Sequence, residues 1–161
     1  MVYIIIALMD SLHIRTVYWN TLWKIPNTTW TICGYSRSNF RTGFYIKELD
    51  MMLDAGPQNF NHPGHIFVTH GHADHIANIP FTLMGDVQVT VYSVKSITDT
   101  IQKYVKSLYL LNWEMKVDEE DRIELSNIKF EAVEAGKKRR IVTNKQKMEI
   151  EMFDCDHSVT T

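Results

Sequence analysis

The run His70-Gly71-His72-Ala73-Asp74-His75 places three imidazoles and a carboxylate within six residues. Imidazole nitrogen and carboxylate oxygen are ligands that borderline-soft zinc accepts, and a site left open to water can use such an ion for hydrolysis. His70 and His72 are two apart, so on an extended chain both side chains point to one face and suit a single ion. Asp74 and His75 follow the small residue Ala73, where the chain is expected to turn into a short helix over residues 76–79. Divergence at that turn would offer the second pair to a second ion, and two-metal hydrolytic sites hold their ions roughly 3.5–4 Å apart.

Something rigid must carry these groups. Ile66-Phe67-Val68-Thr69, directly ahead of the cluster, is a short apolar run that predicts a buried strand ending in ligands at the rim of a sheet. Trp30-Thr31-Ile32-Cys33 predicts another strand, ended by Gly34-Tyr35-Ser36, and residues 2–9 predict a buried strand as well. Gly43-Phe44-Tyr45-Ile46 and Met51-Met52-Leu53 bracket Lys47-Glu48-Leu49-Asp50 as a hairpin leading into Asp54, with a loop from Gly56-Pro57 to Gly64. Pro80 is expected to end or bend the helix after the cluster. Residues 87–92 alternate as a half-buried strand does. Ser96-Ile97-Thr98-Asp99 has a capping-box outline, opening a helix with Ile97, Ile101, Tyr104, Val105, Leu108 and Leu111 on one apolar face. Residues 118–121 read as a solvated acidic turn. Residues 128–133 and 148–152 both alternate and read as paired strands, the second delivering Asp154 and His157 to the rim. Strands with intervening helices, and no internal repeat, make an α/β fold.

Three segments together resemble the metallo-β-lactamase superfamily. The stretch from His70 to His75 looks like its histidine-rich signature, and Met52-Leu53-Asp54-Ala55-Gly56 resembles the strand-ending Asp-x-Gly that precedes it. Asp154-Cys155-Asp156-His157-Ser158-Val159 is similar to the third ligand motif of the tRNase Z branch. The resemblance implies an αββα sandwich, a single domain over residues 1–161, and zinc, up to two ions. By that pattern His70, His72 and His157 hold one ion, while Asp74 and His75 hold part of the other. Asp74 is also implied as the catalytic proton acceptor, and Asp54 as the carboxylate that orients a ligand from behind. The family's bridging aspartate and final histidines have no counterpart before Thr161, so the expectation is the first half of the sandwich. The implied reaction is phosphodiester hydrolysis at the 3′ end of precursor tRNA or another RNA. A homodimer, or a complementing C-terminal half, is the implied protein partner. Glyoxalase II-like thioesterases, lactonases and a non-catalytic metal-binding fragment share the first motif and stay open as alternatives.

Lys137-Lys138-Arg139-Arg140 is placed by this reading in the turn between the last two strands, where it could meet an RNA backbone or simply be solvated. The net charge of −2 gives no support to a broadly basic RNA-binding surface. Arg37 and Arg41 are further candidates for phosphate contacts. Cys33 and Cys155 do not make a disulfide framework, and Cys155 reads as a buried thiol rather than a ligand. Free thiols and no export signal point to an intracellular, cytoplasmic protein, and the apolar run 2–9 is too short to span a membrane. His13, His62 and His65 read as surface or loop residues. Trp19, Trp23 and Trp30 read as packing residues.

Overall fold

In the computed structural model, residues 19, 21–37, 39–58, 61–83, 86–144 and 146–153 are described. The strand expected over residues 2–9 lies outside them, as do His13, Lys145, Asp154, Cys155 and His157. Short apolar runs punctuated by turn residues form strands β1 (Leu22–Lys24), β2 (Thr31–Arg37), β3 (Arg41–Ile46), β4 (Met51–Leu53), β5 (His65–Phe67), β6 (Val89–Val94) and β7 (Ile128–Val133). These seven lie side by side in chain order as one mixed sheet. Antiparallel pairing joins β1 through β4, and β4 through β7 run parallel. Parallel neighbours need crossovers. Helices α1 (Ala73–Ile76) and α2 (Ile79–Thr82) lie in the β5–β6 connection, and α3 (Lys95–Asn112) lies between β6 and β7. The remaining strands, β8 (Lys138–Thr143) and β9 (Gln146–Glu151), form a separate antiparallel pair.

Successive side chains on a strand point to opposite faces, and here that alternation divides the core in two. Tyr45, Met52, Ile66, Val89 and Val91 face the helical layer, where they pack with Ile79, Leu83, Ile101, Val105, Tyr109 and Leu110. Their neighbours Ile46, Met51, Phe67 and Tyr92 face the other way and pack with Ile141, Met148 and Ile150 of the β8–β9 pair. Helices therefore cover one face of the large sheet and a second sheet covers part of the other. The fold is mixed α/β, and among the described residues no helix is long and apolar enough to cross a membrane.

Several local expectations are corrected. Gly34 does not stop β2, which runs on to Arg37. A Cβ at Gly34 would lie only 2.7 Å from the Phe44 Cα on β3, so the glycine serves a close pass between paired strands. Pro80 starts a helix rather than ending one, because it sits in the first turn of α2, where its missing N–H has no partner to lose. The capping box at Ser96 is not formed. Val94 precedes α3 without a side-chain cap, and the Thr98 hydroxyl bonds to Ser93 Oγ (2.9 Å) and the Val94 carbonyl (3.1 Å). Leu111 is 75% exposed, and the inner face ends on Tyr109 and Leu110 instead. Residues 128–133 and 148–152 are not paired with each other. The first lies parallel to β6 and the second pairs with β8, whose charged stretch was expected to be a turn.

Ile66, fully buried on a central strand, and exposed Leu111 give the core a direct check. Ile66→Ala should lower unfolding free energy by about 2–5 kcal/mol, and Leu111→Ala should stay within about 0.5 kcal/mol of the parent. Urea denaturation of both variants measures this, and equal losses would contradict the placement of the two residues.

Candidate metal centre

The cluster lies where parallel strands β4 and β5 end, the edge at which open α/β sheets commonly bind ligands. Asp54 follows β4 and is buried at 3% exposure. It takes a left-handed backbone conformation, φ 56°, which aspartate tolerates better than most residues. Its own N–H donates to the Phe67 carbonyl at 2.8 Å, tying it to β5. Its side chain reaches across to the residue that follows the β5 run. Oδ1 accepts the Thr69 backbone N–H at 2.8 Å, and the Thr69 hydroxyl lies 3.0 Å from Oδ1 and 2.9 Å from Oδ2. His75 Nδ1 lies 2.7 Å from Oδ2. A buried carboxylate is tolerated because donors surround it.

The three imidazoles stand above this carboxylate. His70 Nδ1 is 2.9 Å from the Thr69 hydroxyl. His70 Nε2 is 3.0 Å from His72 Nδ1, with the two rings edge to face. The first turn of α1 carries His75 back over His70, and their ring centroids are 4.0 Å apart. His75 therefore does not diverge from the first pair as expected: the helical turn folds it into the same cluster. Asp74 Oδ2 stands 3.5 Å from His75 Nε2. His72 is exposed, while His70, Asp74 and His75 are half-buried, so the cluster opens to solvent on its outer side.

Gly56 fixes the height of α1 above the sheet. A Cβ there would fall onto the Asp74 carbonyl oxygen and within 2.7 Å of both Thr42 N and Thr42 O. Glycine lets the backbone after β4 slide under the helix. The contact is then sealed by polar bonds. Ala55 N–H donates to the His75 carbonyl (2.6 Å), Asn78 N–H to the Ala55 carbonyl (2.9 Å) and Gly56 N–H to the Thr42 carbonyl (2.9 Å). The Asn78 side-chain amide and Arg41 Nη1 (2.7 Å) both donate to the Gly56 carbonyl. Arg41, read from sequence as a phosphate contact, is thus engaged in holding this turn.

Among the described residues no three histidine, cysteine or acidic side chains are disposed as a ready metal site. The reason is visible in the bonding. His75 Nδ1 turns to Asp54 and His70 Nδ1 turns to Thr69, while His70 Nε2 and His72 Nδ1 approach each other at 3.0 Å. Two nitrogens are one short of the three protein ligands that a catalytic zinc takes. His157, expected as the third, is outside the described residues.

The other candidates are placed as follows. Lys137, Lys138 and Arg139 pair with Glu134, Glu149 (2.9 Å) and Glu131, and Arg139 also lies over the Tyr92 ring, 5.8 Å from its centroid. Arg140 is exposed and sits opposite Glu149 in the β8–β9 register. Lys138, Arg139 and Arg140 thus open a strand with acidic neighbours, and only Lys137 lies outside it, directly after the turn. Cys33 is a free, buried thiol whose pKa burial pushes up, which makes it a packing residue. His65 is not a loop residue. It opens β5, and its Nε2 lies 3.1 Å from the Val142 carbonyl of the second sheet. Thr69, Asn78 and Arg41 support the cluster and were not singled out for this from sequence. A hydroxyl directly ahead of a histidine cluster at a strand end was the available signal for Thr69.

The close fit at Gly56 predicts that Gly56→Ala costs about 1–3 kcal/mol of stability, the usual range for overpacking. It should also loosen His75 from Asp54, because α1 must lift. Urea denaturation, with amide exchange over residues 73–78, reads both effects; parent-like stability and protection would show that the turn has room to spare.

Compared with models of known protein families and with curated proteins, the chain matches none.

Proposed function

We propose that this protein is a zinc-dependent hydrolase of metallo-β-lactamase type, with tRNase Z-like cleavage of precursor tRNA as its leading activity. The observation that carries this reading is the 3.0 Å approach of His70 Nε2 and His72 Nδ1 above the Asp54–Thr69 support. Four ligands about 2.0 Å from a tetrahedral zinc lie about 3.3 Å from one another. The two nitrogens are within a few tenths of an ångström of that spacing, and a cation can take the place of the single hydrogen they share. The layering supports the finer fold reading: helices, a mixed sheet and a second sheet in succession make up three of the four layers of an αββα sandwich.

In this reading His70 and His72 would hold the ion, with His157 the third ligand that the resemblance implies, and Asp54 would orient the cluster from below. The chemistry such an ion would supply is Lewis acidity, which makes a neighbouring water more acidic and offsets negative charge on a substrate oxygen. Asp74, whose Oδ2 stands 3.5 Å from His75 Nε2, is the residue that would accept a proton from water at the site. His75 is kept in place for this by its Nδ1 contact to Asp54.

A second reading, a thioesterase or lactonase on the same fold, is favoured by one observation. Lys137, Lys138 and Arg139 are each paired with a carboxylate, so three of the four basic residues in the run 137–140 already have their charge met. Incubating the zinc-loaded protein with labelled precursor tRNA, and separately with a thioester and a lactone, distinguishes the readings. Release of the 3′ extension, lost on adding chelator, supports the nuclease; turnover of the small esters alone supports the second; tight zinc binding without any turnover supports a non-catalytic fragment.

His72→Ala tests the ion site itself. The variant should lose bound zinc and, with it, the thermal stabilisation zinc gives the parent, about 2.7 kcal/mol at a hundredfold excess over Kd. Metal content by elemental analysis and melting with and without zinc are the measurements. An unchanged zinc content would remove His72 from the site.

A further inference from the structure

Thr69 lies between the buried carboxylate and the first histidine, and hydrogen-bond bookkeeping gives its hydroxyl a definite direction. A carboxylate only accepts, and a hydroxyl has one hydrogen to donate. The Thr69 hydroxyl lies 3.0 Å and 2.9 Å from the two Asp54 oxygens, so its hydrogen must lie on that side, since bare oxygens at such a distance repel. Toward His70 Nδ1, 2.9 Å away, the same oxygen can then only accept. The hydrogen on that contact therefore belongs to His70 Nδ1, and the lone pair of the ring is on Nε2. Nε2 is the atom that faces His72.

We infer that Thr69 is a positioning residue that sets the tautomer of His70. The acceptor character of Asp54 is passed through the hydroxyl, and His70 is held as the Nδ1–H form with Nε2 presented to the cluster. His75 receives the same instruction without a relay, because its Nδ1 meets Asp54 directly at 2.7 Å. One buried carboxylate thus orients two imidazoles, one at first hand and one through a threonine. The tautomer assignment stands on the hydrogen bonds alone; its consequence for affinity rests on the zinc reading above.

Long-range proton–nitrogen NMR of the metal-free protein, near pH 8.5 and so about two units above the ordinary imidazole pKa, reports each tautomer. The parent should show His70 and His75 both as Nδ1–H. Thr69→Val, which keeps the shape and removes the hydroxyl, should move His70 toward the Nε2–H form and leave His75 unchanged. Thr69→Ser should restore the parent pattern. Zinc affinity, measured by competition with a chromophoric chelator, should fall about 10–100-fold in Thr69→Val, the usual effect of removing a partner of a metal-bound histidine, and recover in Thr69→Ser. If Thr69→Val does not fold, Thr69→Ala takes its place, since it puts no methyl where the hydroxyl was. An Nε2–H form of His70 in the parent, or an unchanged tautomer in the hydroxyl-free variant, overturns the inference. A tautomer that moves while zinc binds equally well overturns the positioning role. Tautomers that behave as stated in a protein that binds no zinc confirm the assignment and sink the zinc reading instead.

Discussion

The buried carboxylate of Asp54 is the constraint on which the rest of the site depends. Removed from water, it requires donors, and leaving such a group unsatisfied would cost several kcal/mol. It finds them in the backbone and hydroxyl of Thr69 and in the ring of His75. These partners come from different parts of the chain, one just beyond β5 and one on α1. Satisfying a single side chain therefore brings a strand end and a helical turn into one place. The imidazoles are oriented as a by-product of that requirement.

A second aspartate does the corresponding work at the opposite end of β4. Asp50 also has a left-handed backbone, φ 49°, and its Oδ2 accepts the Gly64 N–H at 2.9 Å, just before β5 begins. Tyr45 donates its phenol to Oδ1 at 3.2 Å, and burial together with the Asp50 charge pushes that phenol well above its usual pKa. Strand β4 has only three residues and β5 only three, too short to fix their own register by ladder bonds alone. With an aspartate bonding to the neighbouring chain at each end, slippage would break polar bonds above and below. Since a one-residue slip would also exchange the two faces of the sheet, the two carboxylates protect the division between the helical core and the sheet-facing core.

The parts of this arrangement that were legible in the sequence are those carried by local pattern. The apolar run ahead of His70, the Asp-x-Gly after Leu53 and the alternation in β6, β7 and β9 each state a strand or a strand end without help from distant residues. The errors arise where a distant partner decides. Gly34 looks like a stop, yet its meaning is the close backbone of β3 opposite it. Lys137-Lys138-Arg139-Arg140 looks like a turn because four charges in a row are awkward in a strand. Most of it pairs as β8, with acidic residues of β7 and β9 supplying opposite charge across the sheets. Pro80 shows the same ambiguity at short range, since proline both breaks helices and begins them. At the site, residue types were legible and directions were not. An extended-chain argument correctly puts His70 beside His72, but it cannot see that one turn of helix returns His75 to them.

The cluster combines a fixed floor with an open top, and that asymmetry matters for any ion it takes up. Asp54, Ala55 and Gly56 are buried, and the bonds from Ala55, Asn78 and Arg41 leave the backbone below the imidazoles little freedom. His72 and Thr69 are exposed, so the outer side can be reached by water or ligand without opening the core. A site built this way needs to order few side chains when it binds, because the costly part, holding a carboxylate and two rings in register, is already met by folding. At the first pair, His70 Nε2 and His72 Nδ1 already stand 3.0 Å apart with their ring centroids at 4.5 Å, so an ion taken up there would displace the hydrogen they share and would still need a third ligand from elsewhere. On the zinc reading, affinity is therefore governed from beneath, by the groups that hold each imidazole nitrogen in its direction, as much as by the nitrogens themselves.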